Sequence, residues 1–216
     1  MIKILLAAFP AAALAAVFFW FHNSSNSAIG SLFADRPGML LAFGRLAGIT
    51  GALGVMSQVL IMSRAAWLEP LLGTALPVKW HHRAGLAIPL ALLAHPPLVV
   101  LHHSMQTGTE FLFQYLAVLK WEDVLAAACG EALIITAVIL SLPFFRRRLS
   151  YRAWYRVHLL TYAGLALSIG HQLSLGGDLN GPRPYFAAAW YFLLGFAVLN
   201  AAWFRGIKPL ISSGAA

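Results

Sequence analysis

The chain has 216 residues, of which 60% are hydrophobic and only 10% charged. That is too little charge to clothe a soluble domain of this size, so the composition is that of an integral membrane protein with no room for a sizeable soluble domain. The formal charge of +8 would suit a nucleic-acid binder by amount alone, and a single cysteine excludes a disulfide framework and any CxxC redox or zinc motif.

Six apolar runs are long enough to cross a hydrocarbon core of ~30 Å. In chain order they are Ile4–Phe21, Gly38–Met62, His82–His103, Val124–Phe145, Val157–Leu175 and Tyr185–Phe204. The first follows Lys3 and has the charge of a signal peptide, but its aromatic end, Phe18-Phe19-Trp20-Phe21, favours a retained helix. Turn-forming stretches separate the runs: Asn23-Ser24-Ser25-Asn26, Arg36-Pro37-Gly38, Gln106-Thr107-Gly108 and Gly176-Gly177-Asp178 through Pro184. The segment Ala65–Val78 is apolar but broken by Glu69-Pro70, Gly73 and Pro77, so it reads as an interfacial turn rather than a seventh span. Cys129 lies within an apolar run and reads as a small packing residue. The expected fold is an all-α membrane protein, a six-helix bundle over residues 1–204 with a short cytoplasmic tail over 205–216.

Orientation follows from the basic residues. With the N-terminus inside, eleven of the fifteen Lys and Arg face the cytoplasm: Lys3, Arg64, Lys79, Arg83, Arg146, Arg147, Arg148, Arg152, Arg156, Arg205 and Lys208. Three, Arg36, Lys120 and Arg183, face outward, and Arg45 lies within a span. The positive-inside rule gives an N-in, C-in, multi-pass protein of the inner (plasma) membrane. The basic excess is thereby topology, which removes nucleic acid as a partner.

Eight histidines are present. The third and fifth spans run in the same direction, inside to outside. His81 at the inner edge of the third is followed by His95 fourteen residues on, about 21 Å further out. His158 on the fifth is followed by His171 thirteen residues on, about 19.5 Å further out. His81 therefore lies level with His158, and His95 with His171. Two level pairs on parallel helices are what two six-coordinate hemes require, one imidazole on each side of each iron; a metal or proton transporter is the competing reading. Fourteen residues return to nearly the same helix face, whereas thirteen miss it by about 140°. The fifth helix is thus expected to carry a π-type bulge or a bend near Gly164 or Gly170. His82 competes with His81 but shares the thirteen-residue mismatch to His95. His22, His82, His102 and His103 read as interfacial residues, and His102-His103 as weak evidence for metal collection.

His81-His82-Arg83-Ala84-Gly85 with His95-Pro96, and the run Arg148-Leu149-Ser150-Tyr151-Arg152-Ala153-Trp154-Tyr155-Arg156-Val157-His158-Leu159-Leu160-Thr161-Tyr162 leading to His171, resemble the ferric reductase transmembrane domain. That domain is shared with NADPH oxidases and with the heme-binding partner of periplasmic methionine sulfoxide reductase. The resemblance covers about Gly38 to Leu210. It implies that His81 and His158 ligate an inner heme b iron, that His95 and His171 ligate an outer one, and that the thirteen-residue spacing is a family trait. It further implies electron transfer from a cytoplasmic flavin to an extracytoplasmic acceptor, ferric iron or oxygen, as the membrane component of an oxidoreductase. Ferric reductases and NADPH oxidases usually continue into a cytoplasmic domain with FAD and NAD(P)H sites. No GxGxxG turn is present here, so flavin and nicotinamide are expected only through a missing domain or a partner flavin reductase. The alternative is a non-catalytic heme subunit that passes electrons to a periplasmic partner oxidoreductase.

Arg45 lies about two turns into its span, where a lone charge is costly. Two partners suit it: a propionate of the outer heme, held by two hydrogen bonds, or Glu131 at similar depth. Arg83 and Arg156 lie near the level of the inner pair and are candidates for its propionates, against a background of plain topology. Trp154 and Tyr155 suit interfacial anchors as well as electron conduits. Gly48, Gly51, Gly54 and Gly164 suit a close approach of backbone to porphyrin.

Overall fold

A computed structural model describes residues 35–177, 179–180 and 184–213. The span Ile4–Phe21, with Lys3 and His22, lies outside the described residues, as do Asp178 and Gly181-Pro182-Arg183. Every regular element among the described residues is helical. They are α1 (Arg36–Ile61), α2 (Glu69–Leu72), α3 (Ala75–Thr107), α4 (Phe111–Val118), α5 (Val124–Ser141), α6 (Pro143–Arg146), α7 (Tyr151–Leu175), α8 (Pro184–Ala201), a π segment (Ala202–Ile207) and α9 (Lys208–Ser213). Four helical stretches are long and apolar enough to cross a membrane: Arg36–Ile61, Ala75–Thr107, Val124–Ser141 and Phe186–Ser212. The 25 residues of α7 extend about 37 Å, also a membrane's width. Its hydropathy is lowered by His158, His171 and Gln172, the polar residues that make it of interest.

Element ends differ from the sequence reading where local chemistry decides them. α1 begins at Arg36 because the Asp35 carboxylate accepts from Gly38 N at 2.6 Å, and Pro37 sits in the first turn, where its missing N–H costs nothing. α3 begins at Ala75, seven residues before the expected start: Pro77 falls in its first turn and does not interrupt it. At 33 residues α3 runs about 50 Å. The fourth span is cut at Leu142, which precedes Pro143 and is held extended (φ −63°, ψ 144°). α7 starts at Tyr151 because Ser150 caps it, its hydroxyl accepting from Ala153 N at 3.2 Å. α4 was not expected from the sequence: its eight residues are apolar almost throughout, and a run that short carries no periodicity to separate helix from loop.

Glycines set the packing. α1 lies against α3 and α5 against α7, while α8 packs on α1. On α1, a Cβ at Gly44 would come within 2.9 Å of Val99, at Gly48 within 2.8 Å of His95 Nδ1, at Gly51 within 2.6 Å of Leu92, and at Gly54 within 2.5 Å of Ile88. Between α5 and α7, Gly130 and Gly164 meet so closely that a Cβ on either would lie 2.5–2.6 Å from the other's carbonyl oxygen. These glycines therefore serve helix-to-helix approach, and Gly48 also lines a cavity beside His95. One apolar cluster, Ala52, Met56, Phe186, Trp190 and Ala197, joins α1 to α8; Val55, Ile134 and Leu165, with Ile88 and Leu92 against them, tie α1, α3, α5 and α7 at mid-height. Outward faces keep large apolar side chains, such as Leu90, Phe192 and Leu199, each at least 68% exposed, as lipid requires. Cys129 is likewise exposed rather than packed, since lipid accepts an apolar residue as readily as a core does.

Candidate functional site

α3 and α7 meet at their histidines. The His81 and His158 rings stand 5.7 Å apart between centroids, and those of His95 and His171 stand 5.9 Å apart. An iron bonded to one imidazole nitrogen on each side, at about 2 Å per bond, separates ring centres by about 6 Å. Both pairs thus have the number and spacing of ligands that a six-coordinate heme takes. Among the described residues no group of three or more His, Cys, Asp or Glu converges as a bare metal site would require. Between the two tiers lies the mid-height cluster of Val55, Ile134 and Leu165, the last of these seven and six residues from His158 and His171 on α7.

Three of the four rings are fixed through Nδ1. His95 Nδ1 lies 2.8 Å from Gly44 O, and His81 Nδ1 lies 2.5 Å from Gln58 Oε1. Both partners are acceptors, so Nδ1 carries the proton and Nε2 keeps its lone pair for a metal. For His158 the same result follows by elimination. Ser141 Oγ donates to Ala137 O (2.7 Å), accepts from Trp154 Nε1 (3.0 Å) and lies 3.3 Å from His158 Nδ1. With its only proton committed, the hydroxyl accepts from the His158 N–H. Replacing Ser141 with alanine strips both N–H groups of their acceptor; if His81 and His158 ligate a heme, hemin affinity there is expected to fall about tenfold or more, read by hemin titration of the variant against wild type. The His171 Nδ1 is buried without a hydrogen-bond partner, and on the adjoining residue Gly170 a Cβ would lie within 3.1 Å of the Asp123 carboxylate.

α7 is α-helical from Tyr151 to Leu175, so of the expected bulge or bend near Gly164 or Gly170 the π bulge is not there, although both histidine pairs form. Thr161, Ser168 and Ser174 turn their hydroxyls onto the carbonyls of His158, Leu165 and Gly170, contacts that bend a helix without changing its register. The π segment among the described residues is Ala202–Ile207 instead.

Around the outer pair lies a cavity of about 410 Å³, within the range of cofactor pockets. Arg45 and Glu131 both line it, with His103, Trp121 and Tyr115 toward its outer end. Gln172 joins this wall to α8, accepting from Trp190 Nε1 at 3.2 Å. His102 is buried, its Nδ1 2.7 Å from Pro37 O, and its ring meets His103, which meets Trp121. His102 therefore pins α3 to the start of α1 and is not a free interfacial ligand. At the inner pair, Trp154 stacks on His158 (5.2 Å, 22°) under the Arg146 guanidinium (4.7 Å). His82 is exposed, as are Arg83 and Arg156. A further cation, Arg205, reaches α7 near the inner pair, donating to Tyr162 Oη at 3.1 Å. Sequence reasoning passed over Arg205, Gln58 and Ser141. Polar residues inside or at the end of apolar runs were the available signal.

A family model described as ferric reductase like transmembrane component matches residues 47–169, more than half the chain. Neither a curated protein nor a solved structure matches the chain significantly.

Proposed function

The chain belongs to the ferric reductase-like transmembrane family, and from that premise we propose that two b hemes, one on His81 and His158 and one on His95 and His171, give it a one-electron path across the membrane from a cytoplasmic flavin to an extracytoplasmic acceptor, ferric iron or oxygen. The observation that carries the reading is the pair of imidazole pairs, each about 6 Å across. Membership itself makes the chain a multi-pass membrane protein and suggests transmembrane electron transfer. The inner (plasma) membrane and the N-in, C-in orientation rest on the basic residues clustered at Arg146–Arg156 and at Arg205 and Lys208.

The chain's own part is to hold ligands, shape the cavity and place charge. Gln58, Gly44 O and Ser141 fix three imidazoles in the tautomer that leaves Nε2 available. Arg45, on the wall of the outer cavity, is the donor there for a propionate. The stack of Arg146, Trp154 and His158 lies on the side where a flavin reductase, as a fused domain or a partner protein, would dock. The test is reduction of ferricyanide trapped in liposomes by reduced flavin added outside. Vesicles bearing the heme-loaded protein should reduce the trapped acceptor at least tenfold faster than empty ones; equal rates overturn the reading.

A further inference from the structure

The π segment Ala202–Ile207 brings one basic residue, Arg205, against α7 near the inner pair of histidines. Its guanidinium is half-buried and donates to Tyr162 Oη at 3.1 Å. Tyr162 stands four residues beyond His158 on α7, on the same face of that helix. Arg205 is thus fastened to α7 about one turn from His158. A π turn widens a helix and shifts the register of the residues after it, and such turns are frequent at functional sites; here it carries this arginine. One arm of the guanidinium is spent on Tyr162. The remaining N–H donors form a planar fork suited to a carboxylate.

We propose that Arg205 is the anion-holding residue of the inner site, with Tyr162 as its positioning partner, and that its ligand is a carboxylate of the inner cofactor. This rests on the two-heme reading above. By neutralising that carboxylate, a fixed guanidinium favours the reduced cofactor, so its removal lowers the inner midpoint potential.

The measurement is redox potentiometry by visible absorption on detergent-purified protein. Wild type is first checked for two hemes; their absence sinks the two-heme reading and this proposal with it. In a His95→Ala background the remaining heme is the inner one. There Arg205→Gln is expected to shift the reduction equilibrium about tenfold toward the oxidised form, about 59 mV for one electron. Arg205→Lys should recover most of the shift, and Tyr162→Phe should give a smaller shift of the same sign. Loss of the inner heme from Arg205→Gln but not from Arg205→Lys supports the assignment equally. With both hemes present in wild type, an unmoved midpoint in Arg205→Gln, or an equal shift in Arg205→Lys, overturns the role of Arg205 alone.

Discussion

Alanine in place of His95 is expected to leave one heme per chain where the two-heme proposal gives wild type two. His95 is the outer-tier histidine of α3, its ring 5.9 Å from His171 and its Nδ1 fixed on Gly44 O. Gly48 faces the same ring so closely that even a Cβ there would meet Nδ1 at 2.8 Å. A ligand held from two sides is not readily replaced: the neighbouring positions are Ala94 and two prolines, Pro96 and Pro97, and none offers an imidazole. The inner tier should be untouched, because His81 and His158 take their support from Gln58 and Ser141, and the mid-height cluster of Val55, Ile134 and Leu165 separates the tiers. Heme content per chain and the reduced spectrum read both halves of the prediction. Retention of both hemes by the variant would mean the outer ligand lies elsewhere.

The second large effect concerns the bundle. Gly130→Ala puts a methyl group 2.5 Å from the backbone oxygen of Gly164. Because the obstacle is backbone, no rotamer change relieves it, and α5 must part from α7. Overpacking of this kind costs about 1–3 kcal/mol or more. Parting these helices also separates Ser141 on α5 from His158 on α7, so retention of the heme proposed for His81 and His158 should fall together with thermal stability. Gly85→Ala is the control: its Cβ meets nothing within 4 Å, and alanine in place of a helical glycine should be neutral or gain about 0.5–1 kcal/mol. Thermal denaturation of the two variants in the same detergent checks the contrast, and equal midpoints would refute the glycine contact.

The spans were legible because apolar runs of about twenty residues have few alternatives to a membrane helix. Five of the six appear as helices among the described residues; the sixth, Ile4–Phe21, lies outside them. Boundaries were less legible, since a proline such as Pro77 breaks a helix in its interior and opens one in its first turn. The level of the four histidines followed from rise per residue alone. Their anchoring did not, because His81–Gln58, His95–Gly44 and His158–Ser141 join residues 23, 51 and 17 positions apart, and no local pattern links them. The same holds for Arg205: by sequence it is one more inner-side cation, and only the π turn and Tyr162 single it out. Of the two expectations for α7, a bulge or a bend, the bulge is not formed; fixed 100° steps ignore the reach of imidazole arms and the bending that Ser and Thr hydroxyls allow.

The most direct measurement is the pyridine hemochrome content of the purified protein, taken with its dithionite-reduced spectrum. Two b hemes per chain is the expected result. Fewer than two would contradict the assignment of His81 with His158 and of His95 with His171.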